Sequence, residues 1–147
     1  MFRGRYETAV DEKGRTSLPA RFRELLLAGD DQQMVITTAL EPCLVAYPLG
    51  AWNAFERKLA AQSAFDPNVV QLKRLYVTGA KECALDSHGR ILIPQLLREY
   101  AAISRAVIWS GMVDYLEIWD RERWQKALEQ AQGGAASLGK ALSDLGL

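Results

Sequence analysis

Histidine and cysteine are scarce in this chain: 147 residues hold one of the former, His88, and two of the latter, Cys43 and Cys83. Paired-cysteine zinc sites and histidine-rich catalytic metal sites need more ligands than that, so no metal is expected and the thiols read as buried. Net charge is missing too. Lys+Arg 18 balances Asp+Glu 18, which removes the global positive field that would hold nucleic acid or an anionic membrane non-specifically. A polyanion must therefore be met by a local patch. No run approaches the roughly 18 apolar residues of a membrane span, and MFRGRYETAV lacks the apolar stretch of a secretory signal. A cytoplasmic protein is expected, with no membrane partner. A glycine-rich phosphate loop, a Gly-x-Ser-x-Gly elbow and metal-ligand spacings are likewise absent. His88 would have to be the base of any Ser or Cys triad, and Asp30-Asp31 reads as a loop with no apolar pocket around it. The chain is not expected to be an enzyme, and neither a cofactor nor a small-molecule ligand is indicated. What is present is 49% apolar content, enough for one sizeable core.

The chain also contains itself twice. VDEKGRTSLPARFREL, from Val10, and LDSHGRILIPQLLREY, from Leu85, align at an offset of 75 (86 − 11). Asp11/Asp86, Gly14/Gly89, Arg15/Arg90, Pro19/Pro94, Arg23/Arg98 and Glu24/Glu99 coincide. After a three-residue contraction the match resumes at offset 72, pairing Val35-Ile36 with Val107-Ile108, Leu44 with Leu116, Tyr47 with Trp119 and Trp52 with Trp124.

Each copy runs through the same elements. Tyr6–Val10 and Cys83–Leu85 lead into Asp-x-x-Gly, a tight-turn signal in which Asp bonds its own backbone and Gly accepts positive φ. Arg15–Leu18 and Arg90–Ile93 then read as returning strands, each stopped by a proline suited to the first position of a helix. The spacing of Phe22, Leu25 and Leu26, repeated as Leu97, Tyr100 and Ala101, predicts a buried helical face. Two more strands follow in each half, Met34–Thr38 with Leu44–Tyr47 and Ala106–Trp109 with Tyr115–Trp119. Amphipathic helices around Trp52, Phe55, Leu59 and Trp124, Leu128, Ala131 close the halves. The division expected is residues 1–64, a first repeat; 65–78, an ordered helical connector capped by Asp66 and opened by Pro67; 79–132, a second repeat; and 133–147, a mobile tail whose glycines weaken any helix. A half of about 70 residues holds only a marginal core, so the halves are expected to share one about a pseudo-twofold axis, setting the two turns side by side.

Residues 1–25 carry six cations, Arg3, Arg5, Lys13, Arg15, Arg21 and Arg23, against four carboxylates. The first hairpin is thus mildly basic, with a Lys-Gly-Arg at its tip. Arginine's planar fork fits phosphate or the O6/N7 edge of guanine, and a two-stranded ribbon fits a major groove. The same residues admit a plainer account: Asp11 with Arg15, and Asp86 with Arg90, could simply tie their own turns together. Lys13 and His88 taken singly are ordinary exposed turn residues. Trp52, Trp109, Trp119 and Trp124 fall on apolar faces, where core or subunit contact outweighs base stacking. Arg23-Glu24 and Arg98-Glu99 read as weak ion pairs.

MFRGRYETAVDEKGRTSLPARFRELL and LDSHGRILIPQLLREYA, each with Asp-x-x-x-Arg inside a Gly and Pro frame, resemble the two motif copies of the MraZ family of bacterial transcriptional regulators, over about residues 1–132. That resemblance implies an α+β fold: an internally duplicated, pseudo-twofold AbrB-like swapped-hairpin, double-psi-like β-barrel with flanking helices. It implies a ring-like homo-oligomer on double-stranded promoter DNA, at tandem short G-rich repeats ahead of the cell-division and cell-wall gene cluster, typically as a repressor that includes its own gene. Arg15 is then the first DNA-contacting residue, supported by Lys13, Arg3 and Arg5, with Arg90 and His88 in the matching places of the second copy. Asp11, Gly14, Pro19, Asp86, Gly89 and Pro94 form the turn frame. His88 for Lys13, and Ile91-Leu92 for Thr16-Ser17, argue against equal contact by the two turns. A structural barrel that holds an acidic protein partner is the alternative from another class, and RNA binding through the same turn a third.

Overall fold

The computed structural model describes residues 1–29 and 32–147; Asp30-Asp31, read above as a loop, lies outside the described residues. The chain is α+β. Eight strands occur among the described residues: β1 (Arg5–Ala9), β2 (Arg15–Ser17), β3 (Gln33–Thr38), β4 (Leu44–Pro48), β5 (Lys81–Ala84), β6 (Arg90–Leu92), β7 (Ala106–Gly111) and β8 (Leu116–Asp120). Six of them make an antiparallel sheet ordered β1-β7-β8-β4-β3-β5, and β2 pairs with β6 in a separate two-stranded ribbon. The helices are α1 (Ala20–Ala28), α2 (Leu49–Ala60), α3 (Pro67–Leu72), continued by a π-helical turn at Lys73–Val77, α4 (Gln95–Tyr100), α5 (Arg121–Gly133) and α6 (Ala135–Asp144).

The expected hairpins β3–β4 and β7–β8 form, and they meet edge to edge through β4 and β8. The first expected hairpin does not form a ladder. Among the described residues the backbone pairing of its two segments is limited to the isolated Val10–Thr16 bridge; β1 pairs along its whole length with β7, and β5 with β3. The reason is local. Pro19 ends β2 after three residues, too few to satisfy a five-residue strand, so β1 finds its hydrogen bonds in the other half's sheet. At the ribbon Thr16 faces Ile91, and at the sheet centre Val45 faces Glu117. Both pairs are repeat mates, at offsets 75 and 72, so positions equivalent in sequence oppose one another in space.

One side of the sheet, together with the ribbon and the apolar stripes of α1 and α4, encloses the main core. Trp109, Phe22, Leu18, Met34, Ile36 and Leu44 are among its largest fully buried side chains, each aliphatic or phenyl group stabilising by about 1.5–3 kcal/mol. The other side buries Cys43, Val45, Ile108 and Trp119 beneath Tyr47, Tyr76, Tyr115 and Trp124. Trp52, Trp109 and Trp119 are buried, in keeping with core roles. Tyr100 departs from the expected buried face: its ring is half exposed and its hydroxyl donates to the Ala39 carbonyl at 2.6 Å. Both thiols are free and buried, and burial raises each, Cys83 to about 11.

Pro19 and Pro94 sit one residue before their helices, in extended backbone, and their carbonyls accept the first helical bonds from Arg23 and Arg98. In the connector, the Asp66 carboxylate accepts from Asn68 N at 2.9 Å and Pro67 opens α3, as the sequence indicates. Thr37 and Thr38 donate to the Tyr76 and Leu75 carbonyls and tie the π turn to β3. Within residues 133–147, where the glycines are expected to weaken any helix, Ala135–Asp144 forms one, α6, exposed along its length. Its alanines and leucines are strong helix formers and outweigh Gly139. No described helix is long and apolar enough to cross a membrane.

Candidate nucleic-acid interface

Asp-x-x-Gly-Arg builds the same object twice. The Gly14 N–H donates to the Asp11 carbonyl at 3.0 Å and the Gly89 N–H to that of Asp86 at 3.1 Å, closing each turn. Asp11 Oδ1 accepts from the backbone N–H of Lys13 at 3.0 Å and of Arg15 at 2.8 Å, while Oδ2 accepts from Arg15 Nε at 2.7 Å. Asp86 repeats this with His88 N, Arg90 N and Arg90 Nε, at 2.8, 2.9 and 2.8 Å. The plainer account of the motif is therefore correct as geometry: each carboxylate ties its own turn. It also aims a cation. One of the five guanidinium donors is spent on the aspartate, and among the described residues the terminal nitrogens of Arg15 and Arg90 find no protein acceptor. Their side chains are 35% and 30% exposed, so those donors face solvent.

The backbone N–H of Arg90, then that of His88 and the Arg90 side chain, hold the Asp86 carboxyl down at about 2. Asp11 is lowered in the same way, with the Arg15 N–H as the leading cause. A depressed carboxylate pKa means the folded turn favours the charged form, so its contribution is complete above the ordinary 3.8 and is lost as pH falls through about 2. In an acid titration followed by NMR, the Arg90 Nε–H signal is therefore expected to stay dispersed and protected at pH 4 and to collapse toward pH 2. Loss already at pH 5 would contradict the geometry.

The turns are gripped from across the molecule. Gly14 has φ +88, and a Cβ there would lie 2.6 Å from Cζ of Arg98; Gly89 has φ +75, and a Cβ would lie 2.3 Å from a terminal nitrogen of Arg23. Arg98 Nε donates to the Ile93 carbonyl at 2.9 Å, and Arg23 reaches the Leu18 carbonyl at 3.5 Å. Since the Ile93 N–H donates to the Gly14 carbonyl and the Leu18 N–H to that of Gly89, each half's helix arginine lies over the other half's turn. The expected Arg23-Glu24 and Arg98-Glu99 pairs do not form, because adjacent helical residues do not face each other. Glu24 pairs with Arg21 at 3.4 Å, and Glu99 accepts from Gln95. The sequence reading missed these arginines as positioning groups; their repetition at offset 75 was the available signal.

The ribbon's inward residues, Thr16 and Ile91, are buried, while Arg15, Ser17, Arg90 and Leu92 alternate outward. Thr16 anchors the first half: its hydroxyl donates to the Ala9 carbonyl at 2.8 Å and lies 2.7 Å from Thr8 Oγ1, which accepts from Trp109 Nε1 at 3.0 Å. Thr16→Val leaves the Ala9 carbonyl without this donor and is expected to lose about 1–3 kcal/mol, read as a lower denaturation midpoint.

Lys13 and His88 are exposed at the turn tips, and Ser87 Oγ lies 3.3 Å from His88 Nδ1. Arg3 and Arg5 are not beside them. β1 runs away from the turn, placing Arg5 about 13 Å along the strand from Ala9 at about 3.3 Å per residue; its guanidinium lies 5.8 Å from the Trp124 ring centroid. Instead, the Arg105 carbonyl accepts from Val10 N at 2.8 Å, which brings another exposed cation to the first turn.

A family model described as "MraZ protein, putative antitoxin-like" matches the chain twice, over residues 1–75 and 76–141. Among curated relatives, a protein of Desulfitobacterium hafniense strain DCB-2 is 39% identical over 147 residues, covering all of both chains. One from Roseiflexus castenholzii is 37% identical over 145 residues, 99% of each chain. One from Acidithiobacillus ferrooxidans is 40% identical over 140 residues, 92% of this chain and 93% of its own. Each of the three is named "Transcriptional regulator MraZ".

Proposed function

The chain belongs to the MraZ family, and on that premise we propose that it is a transcriptional regulator, not an enzyme, that binds double-stranded promoter DNA through the outward face of the β2–β6 ribbon and its two turns. The observation that carries this reading is the pair of aspartate-anchored arginines, Arg15 and Arg90, whose terminal donors point to solvent from one face of one ribbon. Arg15 is the first contact and Lys13 its neighbour on phosphate. Arg90 and His88 serve the second turn less strongly, since His88 stands where the first turn has the flexible ammonium of Lys13. Arg3 and Arg5, away from the turns, reach only flanking backbone. The exchange of β1 and β5 between the halves, with repeat mates opposed at Thr16–Ile91 and Val45–Glu117, supports a duplicated AbrB-like swapped-hairpin barrel.

Net neutrality sets the remaining requirement. Each arginine is partly offset by its own aspartate, so a single protomer holds one site weakly. A ring-like homo-oligomer that presents many ribbons to tandem G-rich repeats gains effective concentration with every contact made. Repression of the cell-division and cell-wall cluster, its own gene included, in the cytoplasm on the nucleoid, completes the proposal. Footprinting the wild-type protein on DNA upstream of its gene tests it: regularly spaced protected segments, weakening steeply with salt, are expected. An unprotected promoter would favour the scaffold that holds an acidic partner.

A further inference from the structure

The outward face of the ribbon is not the same in its two halves. Its four side chains form two cross-strand rows, Arg15 opposite Leu92 and Ser17 opposite Arg90. In the second copy leucine stands where the first has serine, and that leucine is 54% exposed. Directly opposed residues hold their Cβ atoms about 4.5–5.5 Å apart, close enough for an arginine stem to lie across its neighbour. Leu92 nonetheless stays more than half exposed, and Arg15 Nε is committed to Asp11 at 2.7 Å, on the turn side of the ribbon. Arg90 is drawn the opposite way, to Asp86. The result is an uncovered isobutyl group on a face whose other outward groups are two fixed guanidinium forks and a hydroxyl.

That composition matches the chemistry of a major groove. Guanine offers O6 and N7 to a fork, and thymine alone among the standard bases offers a methyl group there, at its C5. Base pairs stack about 3.4 Å apart along each strand, while strands of a ribbon lie about 4.7–4.9 Å apart. Side chains opposed across the ribbon therefore meet neighbouring or next-neighbouring base pairs. We propose that Leu92 is a specificity-determining residue that packs on a thymine C5-methyl one or two base pairs from the guanine taken by Arg15. Ser17, its mate, sits beside Arg90 and confers no such preference, so the pseudo-twofold ribbon reads an asymmetric sequence and binds it in one direction. This inference rests on the DNA-binding reading above.

The test uses the full-length protein and a random 20-base-pair duplex library, from which wild type selects its preferred sites. The enriched duplex is then resynthesised with deoxyuridine in place of one thymine at a time, which removes the methyl and nothing else. At one thymine near a guanine, the replacement is expected to weaken wild-type binding about three- to fivefold, the scale of one buried methyl. Leu92→Ser should bind the thymine and uracil duplexes alike, whereas Leu92→Met, still apolar, should keep the difference. Enrichment of a site in which every thymine tolerates uracil would overturn the role of Leu92 and leave the DNA-binding reading intact. A thymine preference that survives Leu92→Ser would overturn it as well. Failure to enrich any duplex would sink the DNA-binding reading, and this inference with it.

Discussion

Arg15→Ala is expected to abolish retention of promoter DNA in a gel shift while the protein's mass in solution and its thermal midpoint stay close to wild type. Two effects add. A bidentate arginine–guanine contact discriminates by about 1–3 kcal/mol, and each 1.4 kcal/mol is about tenfold in affinity; in an oligomer that loss recurs at every engaged copy. The substitution also leaves the Asp11 carboxylate without the guanidinium that now sits 2.7 Å away, so a bare negative charge faces the phosphates. Asp11→Ala added to Arg15→Ala should accordingly restore part of the non-specific binding. Arg15→Lys should stay close to the alanine variant at the specific site, since an ammonium has no planar fork. Arg21→Ala, which removes a cation paired with Glu24 on exposed α1, should leave binding nearly unchanged. Wild-type affinity in Arg15→Ala would remove this arginine from the interface.

The second large effect concerns stability. Gly14→Ala puts a side chain at φ +88 and drives its Cβ into the Arg98 guanidinium. The left-handed backbone alone costs about 1–2 kcal/mol, and displacing Arg98 strips the Ile93 carbonyl of its donor. For a chain of this size each kcal/mol lowers the midpoint by about 2–4 °C. Arg98→Ala empties the space the new Cβ needs, so the double variant should lose less than the two single losses added, with a coupling of about 0.5–3 kcal/mol in a denaturation cycle. Strict additivity would mean that Arg98 does not rest on that turn. Gly89 and Arg23 should show the same coupling at the second turn.

Much of this architecture is legible in the residues. The offset of 75 locates both turns, Asp and Gly specify their closure, and the runs at Met34 and Ala106 become strands as their β-branched content suggests. The partner of β1 is not legible, because the local signals for a hairpin are complete without it. Only the brevity of β2, cut short at Pro19, tells against a ladder, and the alternative edge belongs to residues about a hundred positions away. Composition misleads at α6, where glycines stand out in the sequence although alanine and leucine decide the backbone. For Arg23 and Arg98, adjacency to glutamate suggests a pair that helical geometry forbids, while their true partners are a backbone carbonyl and a glycine on the opposite half. The placement of Arg5 fails for a related reason: nearness along the chain to Lys13 becomes distance once the intervening strand is extended.

The lending of β1 and β5 between halves bears on self-sufficiency. A gene cut down to one copy of the motif would encode a peptide whose opening strand has no seat at home and whose own sheet lacks an edge. Two such peptides would complete each other. A half-length chain would thus need a second copy of itself to close its sheet, a need the present chain meets from its own other half.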